Sequence, residues 1–190
     1  MGQHRNWDIL LIGGASGSGK TSISRPLSQL YGVDLVRVDD FQCLLEAIVS
    51  PEMMPTLHYW KIEPNWRNES VEWVVDRLKA VSQAWTPGLQ AVIKDRLEEN
   101  IPMILEGDFI LPALSASFDN PRIKTIFVHE PSREQIVQNY FSREGTHQAH
   151  RAAISHAFGN WLKETCKKHN IPVIESRPWD SLIERVISKI

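Results

Sequence analysis

Residues 14–21 read Gly-Ala-Ser-Gly-Ser-Gly-Lys-Thr, just after the apolar run Ile-Leu-Leu-Ile-Gly at 9–13. The spacing G-x-x-x-x-G-K-[ST] constrains this chain more than any other feature, because it needs a strand to deliver it and a helix to receive it. Glycines let the backbone wrap closely, so that successive N–H groups converge on phosphate oxygens. The segment that follows is phased as a helix by Ile23, Leu27 and Leu30, and such a helix aims its positive end at the same anion. On this reading Gly14, Ala15, Ser16, Gly17, Ser18, Gly19, Lys20, Thr21 and Ser22 form a nucleotide-phosphate site. Lys20 reaches the β- and γ-phosphates, and the Thr21 hydroxyl takes a place on Mg²⁺. Pro26 sits in the second turn of the helix and is expected to kink it.

Four further apolar runs, at 33–38, 101–105, 123–128 and 171–174, are too short for helices and are rich in branched residues or bounded by Gly, Pro or charge, as strands are. Helical stretches lie between them, which predicts a parallel sheet covered on both faces. Val71, Val74, Val75, Leu78, Val81 and Trp85 step at the spacing of one helix face. Thr86-Pro87 then predicts the cap and first position of a new helix through Leu89, Val92, Ile93 and Leu97. Ser132 with Gln135, and Ser181 with Glu184, have the spacing of capping boxes. About sixty residues, 41–100, separate the second strand from the third, where one crossover helix would suffice. Within them, 50–68 carries Pro51, Pro55, Pro64, Tyr59, Trp60 and Trp66 without a period. Long irregular stretches of this kind are functional or mobile more often than not, so the expectation is a substrate-side insertion, with plain packing as the other reading.

Charge and composition exclude several classes. With 21 Lys and Arg against 23 Asp and Glu, a net charge of −2 argues against a protein whose main work is gripping nucleic acid. Two cysteines, Cys43 and Cys166, make neither a disulfide scaffold nor a four-cysteine zinc site. No apolar run approaches the ~18 residues of a membrane span, and the N-terminus has no signal-peptide pattern. Gly2 invites a myristoylation reading, but Asn6 stands where Ser or Thr is wanted. The expectation is a cytoplasmic protein, a monomer or a homodimer, without nucleic-acid or membrane partners. Seven tryptophans against three tyrosines and six phenylalanines are unusual. Four of them, Trp60, Trp66, Trp73 and Trp85, fall in 41–100, and Trp73 departs from the apolar stripe of its helix, so it is expected to look outward or toward a cleft.

Acidic groups close the second and third strands. Asp39 and Asp40 follow the second, at the carboxyl edge of the sheet where open α/β folds bind ligands. Such a carboxylate accepts a proton from an acceptor hydroxyl or orients Mg²⁺ through water; the competing reading is a helix N-cap. Glu106 and Asp108 follow the third, where one of them fits a Walker-B-like role. Arg133, Arg143 and Arg151 come after the fourth strand, and a segment at about 142–151 is expected to close over a triphosphate and bring a guanidinium to the developing charge. His147 and His150 have metal-ligand spacing but no set of further ligands. After the last strand, Arg177, Pro178 and Trp179 either border a base pocket or make an ordinary strand-to-helix turn.

At these residues the chain resembles the P-loop kinases related to nucleoside monophosphate kinases, and more narrowly the bacterial P-loop ATPases similar to 2-phosphoglycerate kinase. The matching pieces are GGASGSGKTS, VDDF, LHYW, LEGDFILPAL, EPSREQIVQNYFSRE and IPVIESRPWDSL. The resemblance implies a P-loop NTPase three-layer α/β sandwich whose five-stranded parallel sheet runs in the order 2-3-1-4-5, a single domain over 1–190 with an acceptor-side helical insertion and an arginine-bearing lid. It also implies phosphoryl transfer from ATP with Mg²⁺ to a small-molecule acceptor. By it Asp39 is the acceptor-side carboxylate, Asp108 a second substrate contact and Arg143 a lid residue. The lid departs from the Arg-x-x-x-Arg pattern, since Arg143 and Arg151 are eight apart.

The sequence therefore predicts an ATP-dependent small-molecule kinase in which Lys20, Asp39 and Arg143 are catalytic and Asp39, Asp40, Glu106 and Asp108 meet substrate. His58, Lys61 and Arg67 would meet an anionic acceptor, whereas Tyr59, Trp60 and Trp66 would stack a base, leaving nucleosides and nucleotides open as acceptors. A nucleotide-dependent switch with slow hydrolysis is the alternative from another class.

Overall fold

The computed structural model describes residues 4–190, so Gly2 lies outside the described residues. The five apolar runs form β1 (Ile9–Gly13), β2 (Asp34–Arg37), β3 (Met103–Glu106), β4 (Ile123–His129) and β5 (Val173–Glu175). All pair in parallel, in the order β2-β3-β1-β4-β5, as the resemblance implies. β1 lies at the centre and is buried throughout. Its side chains alternate between two cores: Ile9 and Leu11 join Met103 and Leu105 on one face, Leu10 and Ile12 join Ile104 and Ile126 on the other. A strand buried on both faces has no polar face to show, hence an unbroken apolar run rather than an alternating one. The first face is covered by α4 (Val71–Glu98) and α7 (Ala149–Lys168), the second by α1 (Lys20–Tyr31) and α8 (Leu182–Ile187).

The path from β2 to β3 runs through α2 (Val38–Ile48), α3 (Tyr59–Ile62), a 3-10 turn at Pro64–Asn68 and α4. Here the structure corrects the helix boundary expected at Thr86-Pro87. α4 is one helix of 28 residues, with Pro87 in its interior, about 42 Å long at 1.5 Å per residue. An internal proline deprives the Gln83 carbonyl of its helical donor and costs roughly 3 kcal/mol. The helix survives because Val74, Val75 and Val81 before the proline, and Leu89 and Ile93 after it, are all buried on one stripe, each contributing roughly 1.5–3 kcal/mol. Ser70 caps the helix, its hydroxyl accepting from Trp73 N at 3.2 Å. Pro26 is likewise contained within α1, which continues to Tyr31.

Two capping predictions divide. Ser132 caps α6 (Arg133–Glu144) by accepting from Gln135 N at 3.1 Å. Ser181 makes no such bond: a 3-10 turn at Trp179–Ser181 precedes α8, and the Ser181 hydroxyl accepts instead from Arg185 Nε at 3.2 Å. α5 (Pro112–Ala116) begins on Pro112 after the buried Phe109, Ile110 and Leu111.

Candidate active site

The loop between β1 and α1 is shaped by positions that only glycine fills. Gly14 has φ +143°, and a Cβ there would stand 2.4 Å from the Val128 carbonyl oxygen. Gly19, at φ +100°, precedes α1, and a Cβ there would meet the Trp179 ring at 2.5 Å. No side chain caps α1; Ser22 N donates to the Gly19 carbonyl at 3.1 Å, and the positive end of the helix is turned to an anion at the loop. Ser16, Gly17, Gly19, Lys20, Thr21 and Ser22 line a cavity of about 720 Å³. Gly14, Ala15 and Ser18 lie beneath it, buried in the turn.

Lys20 is buried in this loop, donating to the Ala15 carbonyl at 3.0 Å and paired with Asp108. Burial by itself lowers the pKa of this amine, but the Asp108, Glu106 and Asp39 carboxylates outweigh it and leave the pKa raised. Lys20 therefore stays charged. Glu106 ends β3 and is 3% exposed. Its Oε1 accepts from the Thr21 hydroxyl at 3.0 Å and from Arg37 Nε at 3.4 Å, while Oε2 is buried with no partner. Burial pushes this carboxyl upward, against Lys20 and Thr21, which pull it down. A hydroxyl and a buried carboxylate with an orphaned oxygen suit Mg²⁺, which typically takes one or two carboxylates and completes its shell with water and phosphate oxygens. Among the described residues no group of three or more His, Cys, Asp and Glu is placed to hold a metal, and His147 instead stacks on Phe141, with ring centroids 4.6 Å apart.

Asp39 and Asp40 sit in the first turn of α2, and neither is its cap: Arg37 holds that position, without a side-chain bond. The capping reading is thus overturned, because β2 passes into α2 with no loop between them. Acidic side chains there complement the positive end of the helix. Asp39 accepts from Arg37 at 2.9 Å and lines the cavity; Asp40, 3.9 Å from Arg37, does not line it. Arg37 itself was missed by the sequence reading. It stands opposite Glu106 in the β2–β3 register, so its role depends on a pairing between residues 69 positions apart. The only local signal was one cation inside an apolar run.

A second lobe of about 630 Å³ adjoins the first, and the two share Ser16, Arg37, Asp39, Asp108 and Arg143. Its far wall carries Trp60, Trp66, Arg67 and Arg151. His58 and Tyr59 are buried and do not line it, and Lys61 pairs with Glu46 at 2.8 Å. The tryptophan excess therefore splits. Trp60 and Trp66 face the lobe; Trp73 packs on Tyr59 beside a separate small cavity that Arg77 also lines; Trp85 is core, stacked on Phe109 at 5.7 Å.

The arginines eight apart in sequence meet at the turn between α6 and α7. Arg143 Nε and Arg151 both donate to the Glu144 carboxylate, at 2.9 and 3.1 Å to Oε1, and both lie over the Tyr140 ring. A hydrogen bond from Gln148, together with the two arginines, holds Glu144 at about 2. Arg133 does not line either lobe. At the opposite end of the first lobe, Arg177 and Trp179 form its wall, with Arg25 and Asn139 also lining it; Pro178 does not.

No family model matches the chain. The chain is similar to archaeal 2-phosphoglycerate kinases. It is 26% identical over 196 residues to the protein of that name from Pyrococcus horikoshii, covering 96% of this chain and 64% of the relative. The corresponding figures for Methanothermobacter thermautotrophicus are 26% over 202 residues, 96% and 65%. The chain thus spans less than two thirds of these curated relatives' length. Among solved structures, a sugar kinase from a Janibacter species superposes with a TM-score of 0.58 at 16% identity, covering 96% of this chain and 94% of the other. Shikimate kinase from Acinetobacter baumannii in complex with shikimate gives 0.57 at 14% identity, covering 96% and 92%. The fold is that of the P-loop kinases.

Proposed function

We propose that this chain is an ATP-dependent kinase that transfers the γ-phosphoryl group to a small anionic acceptor. The observation that carries this reading is the two-lobed cavity: a phosphate cradle on one side, an arginine-lined lobe on the other, meeting at Arg37, Asp39 and Asp108. A molecule that only binds or slowly hydrolyses ATP has no use for the second lobe. In the transfer, the acceptor hydroxyl oxygen bonds to the γ-phosphorus as the bond to the β–γ bridging oxygen breaks and ADP departs. The Asp39 carboxylate orients that hydroxyl and receives its proton. Lys20 and Arg143 offset the charge on the transferring group. Thr21 and Glu106 would hold Mg²⁺, which supplies charge neutralisation across the phosphates.

Arg67 and Arg151 fit an acceptor bearing phosphate or carboxylate, which guanidinium groups bind bidentately. The names of the archaeal relatives make 2-phosphoglycerate the first compound to test. Trp60 and Trp66, which line the same lobe, favour a second reading, a nucleotide acceptor whose base stacks on one of these rings. The test is ATP consumption across a panel containing 2-phosphoglycerate, other phosphorylated hydroxy acids and nucleoside monophosphates, with products identified by mass spectrometry. One acceptor is expected to raise turnover sharply and to gain one phosphoryl group. Acceptor-independent turnover without a phosphorylated product overturns the proposal.

A further inference from the structure

The phosphate cradle is fixed by the β1–α1 loop, but a nucleotide also needs a seat for its base. Trp179 lies against Gly19 and is 39% exposed, so its ring meets the cradle while part of it remains open to the cavity. The Arg177 guanidinium lies 5.4 Å from the centre of that ring. Both residues belong to a turn outside the strand ladder, and something must fix that turn relative to the cradle.

We propose that Glu130 is the positioning residue of the base seat, a role that rests on the ATP reading above. Its side chain is 1% exposed. Oε2 accepts from the Ser176 hydroxyl at 2.6 Å and from Arg177 Nε at 3.4 Å, and Oε1 accepts from Ser132 N at 3.0 Å. Ser132 caps α6, and Asn139 of α6 donates to the Gly17 carbonyl at 2.8 Å. One buried carboxylate therefore joins the turn bearing Trp179 to the helix that braces the phosphate loop. Burying a carboxylate is costly unless it is paired and hydrogen-bonded. Glu130 meets that condition with a cation whose guanidinium reaches the cavity wall. It lines neither lobe, so it acts through Arg177 and Trp179 rather than by touching a ligand.

The assignment separates base from phosphate, and so does its test. Calorimetry compares a non-hydrolysable ATP analogue with inorganic tripolyphosphate, which has the phosphates and no base. Loss of a charge-assisted bond and loosening of the seat predict that Glu130→Ala weakens the analogue about 10-fold, and Glu130→Gln about 3-fold, with tripolyphosphate within about 2-fold of wild type. Glu130→Gln keeps the shape and the acceptor oxygen, so it carries the test where the alanine variant fails to fold. Equal weakening of both ligands, or no change in the analogue, overturns the assignment. So does a wild-type protein that binds both ligands equally. Wild-type protein that binds neither removes the ATP reading itself, which is a different result.

Discussion

The two lobes of the cavity are built from different material. The phosphate lobe is largely main chain, held by glycines whose space is filled by Val128 and Trp179, with two buried charged groups, Lys20 at the start of α1 and Glu106 at the end of β3. The acceptor lobe is walled largely by side chains, with Trp60 and Trp66 on short helical turns edge-to-face at 5.3 Å and Arg67 lying over Trp66 at 4.8 Å. Arg151 on its far wall and Arg143, which lines both lobes, share an exposed Glu144. On the proposed reading, the first kind of wall would recognise what every phosphoryl donor has in common. The second can be re-cut for a new acceptor by exchanging surface residues, without disturbing the sheet.

That contrast can be broken at several points. Lys20→Ala removes the buried amine of the phosphate loop and is expected to lower kcat by about 10³-fold; near-normal steady-state turnover would sink the assignment of the loop. Asp39→Asn, at the junction, should slow transfer by about 10²-fold while nucleotide affinity stays within a factor of two. Weakened nucleotide binding with unimpaired transfer would move Asp39 to the donor side. Arg67→Ala acts on the acceptor wall alone, so the acceptor KM should rise by about 5–10-fold with the ATP KM unchanged. A parallel rise in both constants would mean that the lobes are not separate in function.

The smallest effect concerns stability. Glu106 has its native pKa pushed above the ordinary carboxylate range by burial, despite Lys20 and Thr21. The folded state therefore keeps that proton to higher pH than the unfolded chain does. Stability is full below the unfolded value of ~4.3 and is lost as pH rises through the native one. Glu106→Gln should thus melt above wild type at pH 8, with the gain shrinking toward pH 4. An equal gain at both pH values contradicts a titrating origin. The same variant is expected to lose activity, because a neutral amide cannot replace the carboxylate beside Thr21.

The phosphate lobe was legible in the sequence because its determinants are local: a motif of eight residues, and strands whose burial on both faces makes them apolar throughout. The sheet order followed from the resemblance. What could not be read was long-range or depended on context. Arg37 matters because β2 pairs with β3 and sets it opposite Glu106. Arg143 and Arg151 meet only because α6 and α7 form a hairpin that brings both over Tyr140. Pro87 reads locally as a helix start, since propensity disfavours an internal proline, but the burial of Leu89 and Ile93 overrides that preference. Trp85, on the apolar stripe of its helix, is core and stacks on Phe109, so of the four tryptophans in 41–100 only Trp60 and Trp66 line the lobe.

The pairing of Lys20 with Asp108 and the Ala15 carbonyl has a further consequence. A free lysine side chain gives up roughly 1.5–2 kcal/mol of rotamer freedom when it is fixed in place. Here that loss is incurred as the chain folds, since the amine is already immobile in its loop. An arriving phosphate therefore exchanges partners with Asp108 instead of capturing a moving cation. The protein carries this cost in its own stability, and the ligand is spared it.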